Sequence, residues 1–173
     1  MNTLQLKELF DQDKFTKQQF KGVFPPNLLP ETVVVYPSAF VANVDPSNKP
    51  GSHWVAFYFT KDQKGEFFDS YGQVPSIYSA DFTKFLHNNT KMWTHNKKEL
   101  QAMNSNVCGQ YCIYFILKRC RGNSMHSIVY PFSKNKQIND AFVEEFVSSY
   151  FSIPDERSGR VKIKQISIPN KHV

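Results

Sequence analysis

The run "VCGQYCIYFILK", Val107 to Lys118, constrains the fold more than any other segment. Wound as a helix it is apolar on nearly all sides, and a helix with no polar face must be enclosed. The reading is therefore a helix buried in the middle of the fold. The rest of the chain has to supply the layers around it.

Leu4, Leu6, Leu9 and Phe10 have the spacing of a short amphipathic helix near the start. Prolines 25, 26, 30 and 37 exclude a helix from "FPPNLLPETVVVYP". Val33 to Tyr36, Phe40 to Val44 and Trp54 to Thr60 are β-branched and aromatic and read as strands. "DPSNKPGS" turns the chain between the last two, and "KDQKG" joins Thr60 to a strand over Glu66 to Asp69. Ser76 to His87 reads as a helix burying Ile77, Phe82, Phe85 and Leu86, and Met92 to His95 as a short returning strand. A last helix, Ile138 to Phe151, presents Ile138, Phe142, Phe146, Val147 and Tyr150 inward and ends before Pro154. The fold class is α+β: a central sheet made mostly in the first half, flanked by helices. Residues 1–153 form one domain and 154–173 a basic tail.

Aromatic residues are 15% of the chain, with 16 Phe against 7 Gly, so a dense core is available without disulfide or metal. The three cysteines, Cys108, Cys112 and Cys120, lie too close along one helix to make a disulfide framework, which favours a reducing, intracellular compartment. The charged opening "MNTLQLKELFDQDK" does not read as a signal peptide, and no apolar run is long enough to span a membrane. The formal charge is +6, with five Lys or Arg and no acid from Arg157 to Val173. A non-specific nucleic-acid contact and a solvated basic tail both fit that balance.

Cys108 falls where the buried helix begins. There a thiol faces unpaired N–H groups and the positive end of the helix dipole, which favours the thiolate. A nucleophile and a buried structural cysteine both fit the position. A nucleophile needs a proton acceptor, and His53, at the mouth of a strand after Pro50-Gly51, is placed to be one. His87, His126 and His172 sit in polar stretches and read as solvated, whereas His95 is in a strand-like segment. Antiparallel pairing through "KDQKG" brings the outer strand ends together, so Asp69 lies beside His53 and can orient its ring. A turn-forming Asp is the other reading of Asp69. The backbone N–H of Cys108 and the side-chain amide of Gln101, seven positions earlier, can serve an oxyanion, whereas Gln110 lies inside the helix and points away.

The order "GSHW", "FFDSYG", Gln101, "NSNVCGQYC" resembles the adenovirus-type (adenain-like) cysteine proteases, in the clan that also holds the SUMO proteases. It is most similar to the proteases of Polinton or Maverick elements and related virus-like elements, over about residues 4–152. The resemblance implies His53 as general base, Asp69 as its orienter, Cys108 as nucleophile and Gln101 as oxyanion donor. It implies Trp54 as a shield over the imidazole and Cys112 as a second, non-nucleophilic cysteine. Asp69 stands where the adenovirus enzymes carry Glu and agrees with the SUMO proteases. The implied activity is endopeptidase cleavage beside small residues, often Gly, in capsid or precursor proteins. The likeness implies no cofactor for the chemistry itself, while DNA and a short peptide activate the adenovirus enzymes. Their peptide attaches through a cysteine preceding the nucleophile, and no cysteine precedes Cys108 here. The tail "GRVKIKQISI" is the segment that would instead add a strand or touch DNA in cis. The implied setting is host nucleus, cytoplasm or virion, and the implied state a monomer.

A deconjugase for a ubiquitin-like modifier is a second reading, and the short chain, without insertions to grip a modifier, disfavours it. A non-enzymatic nucleic-acid or zinc module is a third. Cys108, Cys112 and Cys120 spread around a helix axis and offer no C-x-x-C pair. Most of the aromatics fall in apolar runs rather than among exposed basic residues.

Overall fold

The computed structural model describes residues 1–151. The chain runs α1 (Thr3–Gln12), α2 (Lys14–Gln19), β1 (Phe20–Phe24), β2 (Ser38–Asn43), β3 (Trp54–Phe59), β4 (Lys64–Phe68), α3 (Ala80–Asn89), β5 (Met92–His95), α4 (Cys108–Arg119), α5 (Met125–Val129) and α6 (Lys136–Phe151). The strands form one five-stranded sheet in the order β1-β2-β3-β4-β5. Its centre is antiparallel, β2 with β3 and β3 with β4, and both outer pairs are parallel. The class is α+β.

Side chains alternate across a strand, so each central strand feeds two layers. Ala39 and Val41 of β2, with Ala56 and Tyr58 of β3, face the core that holds Tyr111, Phe115 and Ile116 of α4. Phe40, Val55, Phe57 and Phe59 point the other way, onto Phe82, Phe85 and Leu86 of α3. The alanines let α4 lie close on the sheet, and Phe115 stacks on Phe68 of β4 at 4.4 Å between ring centres. α1, α5 and α6 contribute Phe10, Ile128, Phe142 and Phe146 to the same core and enclose α4. Each such side chain is worth about 1.5–3 kcal/mol of burial. The enclosure expected from the apolar run is what is observed.

Several local expectations fail for identifiable reasons. Val33 to Tyr36 is not a strand: the N–H of Val33 donates to the Asn89 Oδ1 at 2.6 Å, and Val34 is 84% exposed. The strand in that region is instead β1, which pairs parallel with β2 and passes an irregularity at Gly22, whose φ of 144° suits glycine. The Ser76 to His87 helix begins late, because Pro75–Ile77 form a separate 3-10 turn and Ser79 caps α3 by accepting from the Asp81 N–H. Ile77 is consequently exposed, as is Ile138, which lies off the buried stripe of α6. The tail and the boundary at 153 lie outside the described residues.

Candidate active site

The site forms where the β3–β4 hairpin ends. Ala56 pairs with Phe68 and Phe57 with Phe67, so His53, just before β3, and Asp69, just after β4, emerge at the same end. His53 Nε2 lies 2.6 Å from Asp69 Oδ1. Gly51 sets up the approach, since a Cβ there would come 2.2 Å from the Asn43 amide.

Asp69 is wholly buried, and its carboxyl is saturated. Beside His53, Oδ1 accepts from the Tyr71 N–H, while Oδ2 accepts from the Gln73 N–H at 2.9 Å and the Tyr78 hydroxyl at 3.0 Å. The side chain of Asn96, just past β5, accepts from the Asp69 N–H and donates to its carbonyl. An acceptor held this way orients an imidazole without being free to turn aside. The rings against His53 are Tyr71 and Tyr78, at 4.9 and 5.6 Å between centroids. The shielding assigned to Trp54 thus falls to these tyrosines, and Trp54 lies against Gly109 instead.

With Nε2 committed to Asp69, the imidazole's other nitrogen is the one left for Cys108, whose sulfur is close enough to His53 for the two side chains to shift each other's pKa. Cys108 is the first residue of α4, and Val107 supplies no side-chain cap, leaving the first helical N–H groups to the sulfur. Burial opposes its ionisation, but the His53 hydrogen bond and charge and the backbone N–H groups of Trp54 and Gly109 hold the thiol below its ordinary range. Burial likewise works against a charged His53, and Asp69 and Cys108 overcome it and raise its pKa to about 9. Cys112, one turn on, is fully enclosed, and burial pushes its thiol well up. The structure thus separates two cysteines that composition leaves equal.

Gln101 joins through Ser70 rather than by a hydrogen bond to Cys108. Ser70 Oγ donates to its Oε1 at 2.7 Å, and its Nε2 donates to the Ser105 carbonyl at 2.8 Å. A cleft of about 380 Å³ is lined by Trp54, Gly51, Asn43, Val23 and Phe24 among others, and not by His53, Gln101 or Cys108 themselves. The local sequence pattern does not single out Ser70, Tyr78 or Asn96. "FFDSYG" places Ser70 and Tyr71 beside Asp69, which is a usable signal, but Asn96 acts across 27 positions and leaves none. Among the described residues, no group of three or more His, Cys, Asp or Glu side chains could hold a metal, and no helix is long and apolar enough to cross a membrane.

No family model matches the chain. Among curated proteins, one from Acanthamoeba polyphaga mimivirus, provisionally named a thiol protease, is 31% identical over 109 residues. The match takes in 58% of this chain and 36% of that protein, so the chain spans about a third of the relative it matches. Among solved structures, the ASFV pS273R protease is similar at a TM-score of 0.39 and 23% identity, over 61% of this chain and 42% of that one.

Proposed function

We propose that the chain is a cysteine endopeptidase with Cys108 as nucleophile, His53 as general base and acid, Asp69 as orienter and Gln101 as oxyanion donor. The carrying observation is the chain of contacts from Asp69 through His53 to a thiol of lowered pKa at a helix start. In this mechanism the Cys108 thiolate attacks the scissile carbonyl carbon. The oxyanion is taken by the Cys108 N–H and the second Nε2 proton of Gln101, the first being spent on Ser105. As the C–N bond breaks, the His53 imidazolium protonates the leaving amine and a thioester remains. Water, deprotonated by His53, then hydrolyses the thioester to a carboxylic acid and restores the thiol.

The mimivirus likeness supports a viral thiol protease, and the resemblance to the adenain-like and Polinton proteases is what suggests a substrate among the capsid or precursor proteins of a virus or virus-like element. The resemblance to the adenain-like proteases is what supports small residues beside the cleaved bond. One shared core from Leu6 to Tyr150 supports assigning residues 1–153 to a single domain. The chemistry uses protein groups alone, and activation by DNA or a peptide would act on top of it.

The test is a vinyl-sulfone peptide ending in Gly-Gly, offered to the wild type and to His53→Ala. Labelling at Cys108, sparing Cys112 and Cys120 and lost with His53, is expected. A wild type that stays unlabelled sinks the reading. Co-expression with neighbouring capsid proteins, beside Cys108→Ala, then identifies the substrate by fragments that need the cysteine.

A further inference from the structure

Ser70 follows Asp69 directly and is 1% exposed. Its carbonyl accepts from two successive N–H groups, Leu100 at 2.8 Å and Gln101 at 3.1 Å. Its hydroxyl donates to Gln101 Oε1 at 2.7 Å. One residue therefore holds both the main chain and the side chain of Gln101, and it is bonded in sequence to the group that orients His53.

The main chain around Gln101 is also gripped from the far side. Asn139 Nδ2 and the Tyr111 hydroxyl donate to the Leu100 carbonyl at 3.0 and 3.1 Å, and Asp140 Oδ2 accepts from the Ala102 N–H at 3.2 Å. These contacts fix where the side chain starts but not how its amide is turned. The Ser105 carbonyl can only accept, so the atom facing it must be nitrogen. The oxygen then faces Ser70, whose single hydroxyl proton is committed to it. Among the described residues, Ser70 is the hydrogen-bond donor to that oxygen. Without it the amide has one anchor and can rotate, and the unspent Nε2 proton sweeps away from any fixed direction.

We infer that Ser70 is a positioning residue for the oxyanion hole: its hydroxyl sets the direction of the Gln101 amide proton and ties the oxyanion donor rigidly to the Asp69–His53 pair. This rests on the protease reading above and adds to it a residue that never touches substrate. Because the oxyanion exists only in the transition state, losing this anchor lowers kcat and spares KM.

The experiment compares Ser70→Thr, which keeps the hydroxyl, with Ser70→Val, which has the same shape without it. Both are assayed on a fluorogenic peptide amide ending in Gly-Gly and for Cys108 alkylation by iodoacetamide, a reaction that forms no oxyanion. Ser70→Val is expected to lower kcat about 10- to 100-fold with KM held within about twofold, and Ser70→Thr to stay within about threefold of the wild type. Alkylation rates should match in all three, which also reports that the His53–Cys108 pair is intact. In a Gln101→Ala background, exchanging Thr for Val at position 70 should change kcat less than about twofold. Equal kcat for the Thr and Val proteins, a full drop that persists without Gln101, or alkylation slowed as much as hydrolysis would each overturn the inference. A wild type that neither turns over nor shows accelerated alkylation defeats the protease reading and the inference with it. Normal wild-type turnover with no difference between the Thr and Val proteins defeats the inference alone.

Discussion

The two ends of α4 carry cysteines of nearly equal exposure, 9% for Cys108 and 7% for Cys120, with pKa values shifted in opposite directions. At the amino end the free N–H groups and the imidazole of His53 favour a negative sulfur. Past the carboxyl end, burial and then the charge of Asp13 push the Cys120 thiol up to about 12, and neighbouring Arg121 only partly offsets them. Arg121 is itself spent, bonded to Asp13, whose Oδ2 also accepts from the Tyr150 hydroxyl at 2.6 Å. Burial alone therefore decides nothing about reactivity. The end of the helix and the sign of the partner do.

The sharpest way to break that contrast is to remove the sulfurs one at a time. Cys108→Ala should abolish hydrolysis, a loss of about 10⁴-fold or more, and Cys120→Ala should leave turnover within about twofold. Comparable turnover in the Cys108→Ala protein would end the assignment. Next in size, Asp69→Asn should lower kcat about 10²- to 10⁴-fold, because the amide presents His53 with the wrong partner. A loss under threefold would show that Tyr71 and Tyr78 hold the ring unaided.

The pH profile of kcat/KM tests the same end of the helix. In the proposed mechanism His53 carries its proton to the leaving amine, and its pKa is raised to about 9 from 6.5. The alkaline limb should therefore fall near pH 9, about tenfold per unit beyond it. The acid limb should rise below the ordinary thiol range, since Cys108 ionises early. An acid limb at or above 9.0, the value of an unperturbed thiol, would contradict the contacts drawn for the sulfur.

The far end should answer in stability instead. Arg121→Ala leaves Asp13 buried without its cation and should cost about 3 kcal/mol in urea unfolding, with kcat of the folded fraction unchanged. Smallest of all, Cys120→Ala should cost about 1 kcal/mol, the loss of one buried sulfur. A fall in kcat from either change would mean that the two ends of α4 are coupled.

What the sequence discloses follows how local each cause is. α4 is legible because apolarity around the whole circumference admits one outcome. The meeting of His53 and Asp69 is legible because "KDQKG" is a tight turn that brings two strand ends together. β1 is not, because its pairing with β2 is parallel and its partner lies beyond a proline-rich excursion. Val33 to Tyr36 misleads for a related reason: β-branched residues at 33–35 satisfy strand propensity, yet the N–H of Val33 is spent on a side chain 56 positions away. Ile77 and Ile138 keep helical spacing but fall before the true helix or off its buried stripe. Asn96, and the grip of Asp140 on the Gln101 loop, act across 27 and 38 positions and leave no local pattern at all.

The enclosure of α4 by β3, α1, α2, α5 and α6 has a consequence for how the molecule fails. Functional groups are usually drawn from segments that open locally, well below the cost of unfolding the whole. Here Cys108 sits on a helix packed on nearly every side, so the amide protons of α4 beyond its first turn should exchange with solvent only through global unfolding. Heat or urea then has no route to a folded but inactive species by way of this helix. Loss of the reactive thiol and loss of the fold become a single event with a single midpoint.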